Sequence, residues 1–403
     1  MKLHQNLALG IVSCLNDILK QKKALRPSLN QLLKHNRKWG SRDRRLLGES
    51  VLEIIRWKRL FTEIGKLNPK SNQYYWNLLG IWMLKKKIPL QDWEYFSEIK
   101  TESIEFEFNR KSKARAILQS IPDWLDDLGL KTLGKTVWEK EIENLNNKAP
   151  LVLRVNTFKT SPEKLQNILK KKYDIESSRI PEFPAALFLD KHKKLNHLEL
   201  FKQGWFEIQD ANSQKVSYFA EPKPGMLVVD GCAGSGGKTL HLANLMHNKG
   251  RILALDPNKK KLEQLKARIK RNGVRMVTVH DLDSEDIFRK YKENTDLVLI
   301  DVPCSGLGVL RRNPAAKWHM NPSYIEELIR LQQLILKKQS LLVKRGGALV
   351  YSTCSIFSNE NENQIQKFLK SSVGKSFHLE KEKTLLTHNS MGDGFYMARL
   401  IRD

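Results

Sequence analysis

Apolar residues recur at helical spacing through roughly the first third of the chain. Leu7, Ile11, Cys14, Leu15 and Ile18 fall on one helix face, as do Leu47, Val51, Ile54 and Ile55 further on, and Arg42, Arg44 and Arg45 open the second of these segments. The pattern predicts a helical bundle over residues 1–130. Its aromatics (Trp39, Trp57, Phe61, Tyr74, Tyr75, Trp76) could stack on bases, but large rings more often fill a core, and most are expected there. The period then shortens. Pro150-Leu-Val-Leu-Arg-Val-Asn156 predicts a strand, a lysine-rich helix follows from Pro162 to Lys172, and Gly204-Trp-Phe-Glu-Ile-Gln-Asp210 continues a small α+β unit over residues 131–220. Glu221-Pro-Lys-Pro-Gly225 has the turn chemistry of a domain entrance.

From that entrance strands and helices alternate. Met226–Asp230, Arg251–Asp256, Val274–Asp281, Thr295–Asp301 and Ala348–Thr353 are buried-strand patterns. Between them lie helices from Lys238 to Asn248, from Asn258 to Asn272 with Gly273 as stop, and from Pro322 to Gly346-Gly347. Residues 221–403 are therefore expected to form a doubly wound α/β domain with a mostly parallel sheet.

Composition narrows the partners. Across 403 residues, 70 Lys and Arg against 44 Asp and Glu give a net charge of +26, which suits a polyanion. Four cysteines (Cys14, Cys232, Cys304, Cys354) form neither a CxxC pair nor a disulfide framework, so a reducing, cytoplasmic setting is expected. No apolar run approaches the roughly 18 to 20 residues that span a bilayer, so no membrane association is expected. Ile11-Val12-Ser13-Cys14 has the outline of a lipoprotein cleavage box, but His4, Gln5 and Asn6 interrupt the apolar stretch, and helical spacing makes Cys14 a core residue. His241 and His247 are six residues apart with no cysteine beside them, so no metal is expected.

Four strand ends carry the candidate chemistry. The first is Asp230-Gly-Cys-Ala-Gly-Ser-Gly-Gly-Lys-Thr239, whose glycines let a ligand approach the backbone at a helix N-terminus. It is not a phosphate loop, because five residues, Cys232 to Gly236, separate Gly231 from Gly237 where the Walker pattern has four. Asp256 ends the next strand roughly 20 residues later, where an acid can take both hydroxyls of a ribose. A glycine turn with such an acid fits NAD as readily as S-adenosylmethionine. The other two ends are Asp301-Val-Pro-Cys304-Ser-Gly-Leu-Gly and Ser352-Thr-Cys354-Ser. Cys232 reads as packing, whereas Cys304 and Cys354 lie in loops where catalytic residues concentrate. A thiolate adding to carbon 6 of cytosine makes carbon 5 an enamine carbon able to attack a methyl sulfonium. A carboxyl at the ring's N3 edge, with Asp301 the candidate, would stabilise the developing charge.

These motifs, in this order, resemble the RNA 5-methylcytosine methyltransferases of the Sun type, most closely the bacterial 16S ribosomal RNA enzymes. Leu153-Arg-Val-Asn156, Gly204 to Asp210, Arg311-Arg-Asn-Pro and Asp393-Gly-Phe-Tyr396 extend the likeness, while the N-terminal helices with Ser41-Arg-Asp-Arg-Arg-Leu-Leu47 resemble the family's NusB-like RNA-binding bundle more loosely. The resemblance implies a Rossmann-like methyltransferase domain over residues 221–403, preceded by an RRM-like α+β unit. It implies Cys354 as nucleophile, Cys304 assisting elimination, and S-adenosylmethionine as the one cofactor. Cys232, Ala233, Gly234, Ser235, Gly236, Gly237 and Lys238 would hold its methionine part, Asp256 the ribose, Asp281 or its competitor Asp283 the adenine edge, with Asp301 between cofactor and cytosine. Ser235 stands where the family often has Pro, which implies a slightly looser turn. Lys317 is expected to meet the RNA backbone and Trp318 to stack on a base, with an ordinary basic loop and a packed Trp318 as the alternative. The expected partner is ribosomal RNA, with transfer RNA and a catalytically silent RNA-binding protein as alternatives, and a monomer is favoured. A NAD-dependent oxidoreductase, a remoter reading, leaves the cysteine pair unexplained.

Overall fold

Helices form in the N-terminal third around apolar faces such as those of Gln5–Leu19 and Ser41–Arg56, while Tyr74–Lys85 is buried on nearly every side. Gln5–Leu19, Ser41–Arg56 and Tyr74–Lys85 meet over Leu7, Ile11, Leu15, Val51, Ile54, Leu78 and Trp82, all buried. Trp39, Phe61, Tyr74 and Trp76 are buried with them, and Trp76 stacks on Tyr95 with ring centroids 4.1 Å apart. The computed structural model describes residues 3–109, 114–190, 193–282 and 285–403, and Asp283 lies outside them. Helices continue to Leu145, the end of Lys135–Leu145. Two units emerge: Met1–Asn147 with Leu310–Pro322, and Lys148–Val309 with Ser323–Asp403. None of the helices among the described residues is long and apolar enough to cross a membrane.

The helical unit thus takes in a segment from late in the chain, and this corrects the expectation for Lys317 and Trp318. Lys317 is 1% exposed and its Nζ donates to the carbonyl oxygen of Arg56 at 2.9 Å, where an ammonium suits the C-terminal end of Ser41–Arg56. Burial, then the charges of Arg56 and Lys58, push its pKa well down. The Trp318 indole donates to the oxygen of Ile55 at 2.7 Å, and Arg56 donates to the oxygen of Arg311 at 2.9 Å. The segment's polar groups therefore serve the carbonyls of a helix end that would otherwise lack partners.

In the second unit, β1 (Leu151–Val155), β2 (Ser177–Ile180), β3 (Phe183–Leu189) and β4 (Phe206–Ile208) form an antiparallel sheet in the order β2-β3-β1-β4. Strands β5 (Leu227–Asp230), β6 (Arg251–Asp256), β7 (Val277–Asp281), β8 (Thr295–Asp301), β9 (Val343–Thr353), β10 (Phe377–Leu385) and β11 (Phe395–Arg402) form the larger one. Its order is β10-β11-β9-β8-β5-β6-β7, parallel from β9 to β7 and antiparallel at β10 and β11. Strand order reverses beside β5, so a crevice opens at the carboxyl ends of β5 and β8. The helix expected to run to Gly346 stops at Ser340, and β9 begins at Val343. Gly346, at φ +71°, lies within that strand, where β8 and β9 shift register, so the glycine pair marks a bulge and not a helix stop.

Candidate active site

The glycine turn after β5 is shaped by what lies behind it. Gly236 has φ +91°, and a Cβ there would come within 2.2 Å of Leu265, so only glycine lets the loop pack down before helix Gly237–Leu245 starts. Two arginines hold this loop from its protein side. Arg268 Nη1 donates to the Ser235 carbonyl at 2.7 Å and to its hydroxyl at 3.2 Å, while Arg154 Nη1 donates to the oxygen of Gly237 at 2.5 Å. Glu207, buried, accepts from Arg268 at 3.0 Å, from Arg271 at 2.5 Å and from Asn272 at 2.7 Å. Although burial opposes ionisation, the Arg268 charge and the bonds from Arg271 and Asn272 outweigh it and lower the Glu207 pKa. Arg154 is wholly buried, which brings its pKa down to about 10, so it remains a cation. The Leu153-Arg-Val-Asn and Trp-Phe-Glu-Ile-Gln motifs therefore brace the cofactor loop.

A cavity of about 660 Å³ opens in front of the loop. Of the predicted residues, Cys232, Ala233, Gly234, Ser235, Gly237, Lys238, Asp256 and Asp301 line it; Gly236, Asp281, Cys304 and Cys354 do not. Asp256 accepts the Gly234 amide at 2.9 Å through Oδ2 and the Asn258 amide at 2.8 Å through Oδ1, which fixes its carboxylate at the cavity wall. Asp281 pairs with Asp256 in register at the end of β7 and sits 3.5 Å from Lys259, and Leu282 after it reaches the cavity. Pro257, Leu282, Leu331 and Ile335 contribute apolar lining, and Gln209, Ser213, Lys238 and Asp301 contribute polar lining. An acid for a ribose, apolar walls for a purine and a polar end for an amino-acid group fit S-adenosylmethionine.

Asp301 joins this cavity to the cysteines. Its Oδ2 accepts Lys238 Nζ at 2.6 Å, and its Oδ1 accepts the hydroxyl of Ser352 at 2.9 Å. Cys304 and Cys354, 50 residues apart in sequence, have their sulfurs 3.3 Å apart, and the Cys354 amide points at Cys304 Sγ at 3.3 Å. The Cys304 thiol is pushed well up, first by its hydrogen bond to Cys354, then by burial and by the negative charge of Glu360. Gly308 locks the two loops together: its amide donates to the oxygen of Cys354 at 2.9 Å, its own oxygen accepts from Gly394 at 2.8 Å, and a Cβ would strike both neighbours. Cys232 is half-buried at the cavity wall with its pKa pushed well up, chiefly by desolvation, which fits packing against the cofactor better than reaction.

Sequence reasoning missed Glu360. It is fully buried, accepts the Ser305 amide at 2.8 Å, the Ser305 hydroxyl at 2.5 Å and Gln332 Nε2 at 3.0 Å, and so carries the loop after Cys304. In the run Asn359-Glu-Asn-Glu362 it has the outline of a solvated acidic turn, and nothing local distinguishes it. Arg268 was likewise one basic residue among many in a lysine-rich helix.

Known proteins share these features. The family described as 16S rRNA methyltransferase RsmB/F matches residues 217–401, and its ferredoxin-like domain matches residues 121–196. A Synechocystis sp. protein named probable ribosomal RNA small subunit methyltransferase B is 36% identical over 297 residues, 70% of this chain and 66% of that relative's length. Among solved structures, PH0851 superposes with a TM-score of 0.82 at 26% identity over the whole of both chains. A methyltransferase homologue from Pyrococcus horikoshii gives 0.63 at 27% identity, covering 72% of this chain and 97% of that one. In fold and crevice the chain is similar to methyltransferases. More narrowly, the likeness is to the 16S rRNA methyltransferase RsmB/F family, and the chain spans just under two thirds of the length of the Synechocystis relative.

Proposed function

We propose that the protein methylates carbon 5 of a cytosine in small-subunit ribosomal RNA through a covalent bond between Cys354 and carbon 6. The observation that carries this reading is the cysteine pair, with sulfurs 3.3 Å apart in loops that follow adjacent parallel strands, β8 ending in Asp301. The likeness to the family assigns Cys354 as the nucleophile, and Cys304, whose thiol is pushed well up by its bond to Cys354 and by burial, stays a thiol beside it. Asp301, held by Lys238 and Ser352, meets the N3 edge of the base, and a proton held between its carboxyl group and N3 offsets the negative charge that develops on the ring as sulfur adds to carbon 6. Bound S-adenosylmethionine supplies the methyl group that the enamine carbon takes. Transfer of the carbon 5 proton to a water molecule then expels the Cys354 sulfur, and Cys304 stands within reach of the departing thiolate. Asp256 holds the ribose, the Cys232–Lys238 loop the methionine part, and the end of β7 at Asp281 the adenine edge. The helical unit and the small antiparallel sheet contribute RNA contacts, in a protein that works in the cytoplasm.

The test is methyl transfer from labelled S-adenosylmethionine to unmodified small-subunit ribosomal RNA and, separately, to transfer RNA, followed by digestion to nucleosides. Label in 5-methylcytosine from ribosomal RNA is the expected result. Label only in transfer RNA would overturn the substrate, and label in any other nucleoside would overturn the chemistry.

A further inference from the structure

The helical unit contains a cavity of about 770 Å³ that the reaction does not use. Among the described residues its lining has four cations, Lys20, Lys58, Arg59 and Lys70, and no Asp or Glu. Lys58 is the informative one. It is half-buried, its Nζ lies 4.2 Å from the Trp318 ring centroid, and among the described residues it has no carboxylate partner. Burial alone lowers its pKa. An ammonium taken partly out of water and faced only by a ring is under-compensated, and an anion entering the cavity would supply what is missing.

The neighbours are arranged for the same purpose. Arg59 is fixed by the oxygen of Ile121 at 2.6 Å and by the carboxylate of Asp123 at 2.8 Å, which neutralises part of its charge. Lys20 and Lys70 are exposed at the rim, and Ser71 and Asn72 add donors. Lys58 already lies against the Trp318 ring, so the wall favours a phosphate over a stacked base.

We propose that this cavity binds a backbone phosphate of single-stranded RNA, with Lys58 as its inner contact and Lys20 and Lys70 at the mouth. The inference rests on the reading that the protein acts on RNA. A chain of net charge +26 favours a polyanion generally; the acid-free lining and the unpaired Lys58 single out this place.

The test compares full-length proteins by anisotropy of a fluorescein-labelled oligouridylate over a salt series. Lys58→Met/Lys70→Ala removes two charges from the cavity, Lys20→Ala/Lys70→Ala does so using only exposed side chains, and Lys131→Ala/Lys140→Ala removes two exposed charges of the same unit outside the cavity lining. The cavity pairs are expected to weaken binding about tenfold and to flatten the slope of log affinity against log salt by ~0.7, the value of one phosphate contact on a single strand. The control pair is expected to stay within about twofold of wild type. Equal losses in all three, or no loss in the cavity pairs, would overturn the cavity while leaving the enzyme reading intact. Wild-type protein that binds no oligouridylate would sink both. Weakened capture of polyglutamate, with oligouridylate binding unchanged, would reassign the cavity to an acidic peptide.

Discussion

A carboxylate with three donors in a dry site, such as Glu360, has more effect through what it holds than through its own charge. Glu360→Ala leaves the Ser305 amide, the Ser305 hydroxyl and Gln332 Nε2 without their acceptor. The expected loss is about 3 kcal/mol of stability by denaturant unfolding, with a fall in methyl transfer as the Cys304 loop relaxes. Unchanged stability would mean the loop does not depend on it. Asp230 titrates in the other direction. Burial raises its pKa from 3.8 to about 6, against the pull of the Thr239 hydroxyl 2.7 Å away. The folded state therefore keeps a proton that the unfolded chain releases. This contribution is whole below about pH 4 and is lost as pH rises through 6, amounting to on the order of 3 kcal/mol. Asp230→Asn cannot ionise, so its stability relative to wild type should climb across that window. A difference independent of pH would refute the assignment. Cys304, Cys354, Asp301 and Asp256 could be picked out from sequence because rare or charged residues stood at strand ends. Glu360 and Arg268 could not, since their roles depend on partners 55 and 33 residues away.

At the scale of elements, the parallel strands were legible because each is rich in apolar residues and ends in an aspartate or, in β9, just before Cys354. The end of the helix from Pro322 was not, because Gly346-Gly347 signals a stop equally well inside a bulged strand. The fate of Lys317 and Trp318 was hidden for a related reason: a basic, aromatic segment has the same pattern whether it faces RNA or caps a helix of its own chain. The cofactor loop is where elements combine. Ser235 replaces a proline's fixed backbone with two bonds from Arg268, so loop rigidity depends on that side chain. Arg268→Ala is expected to weaken S-adenosylmethionine binding about tenfold by calorimetry, and Ser235→Pro in the same chain to recover part of it. Cofactor affinity equal to wild type in Arg268→Ala would show that the brace is dispensable.

Over the whole molecule, the charge of +26 should appear as counterion release. RNA affinity is expected to fall at least about tenfold between ~50 and ~200 mM salt, while cofactor affinity stays within about twofold, because a phosphate-free ligand in a small cavity releases few ions. Equal salt sensitivity would mean that the charge does not serve RNA. The central claim concerns the two sulfurs and is tested most directly by looking for the covalent intermediate. Cys304→Ala, incubated with S-adenosylmethionine and unmodified small-subunit ribosomal RNA, is expected to accumulate a protein–RNA adduct that survives denaturing electrophoresis, whereas Cys354→Ala and the double variant should form none. An adduct that persists without Cys354, or 5-methylcytosine still made by Cys354→Ala, would contradict the mechanism.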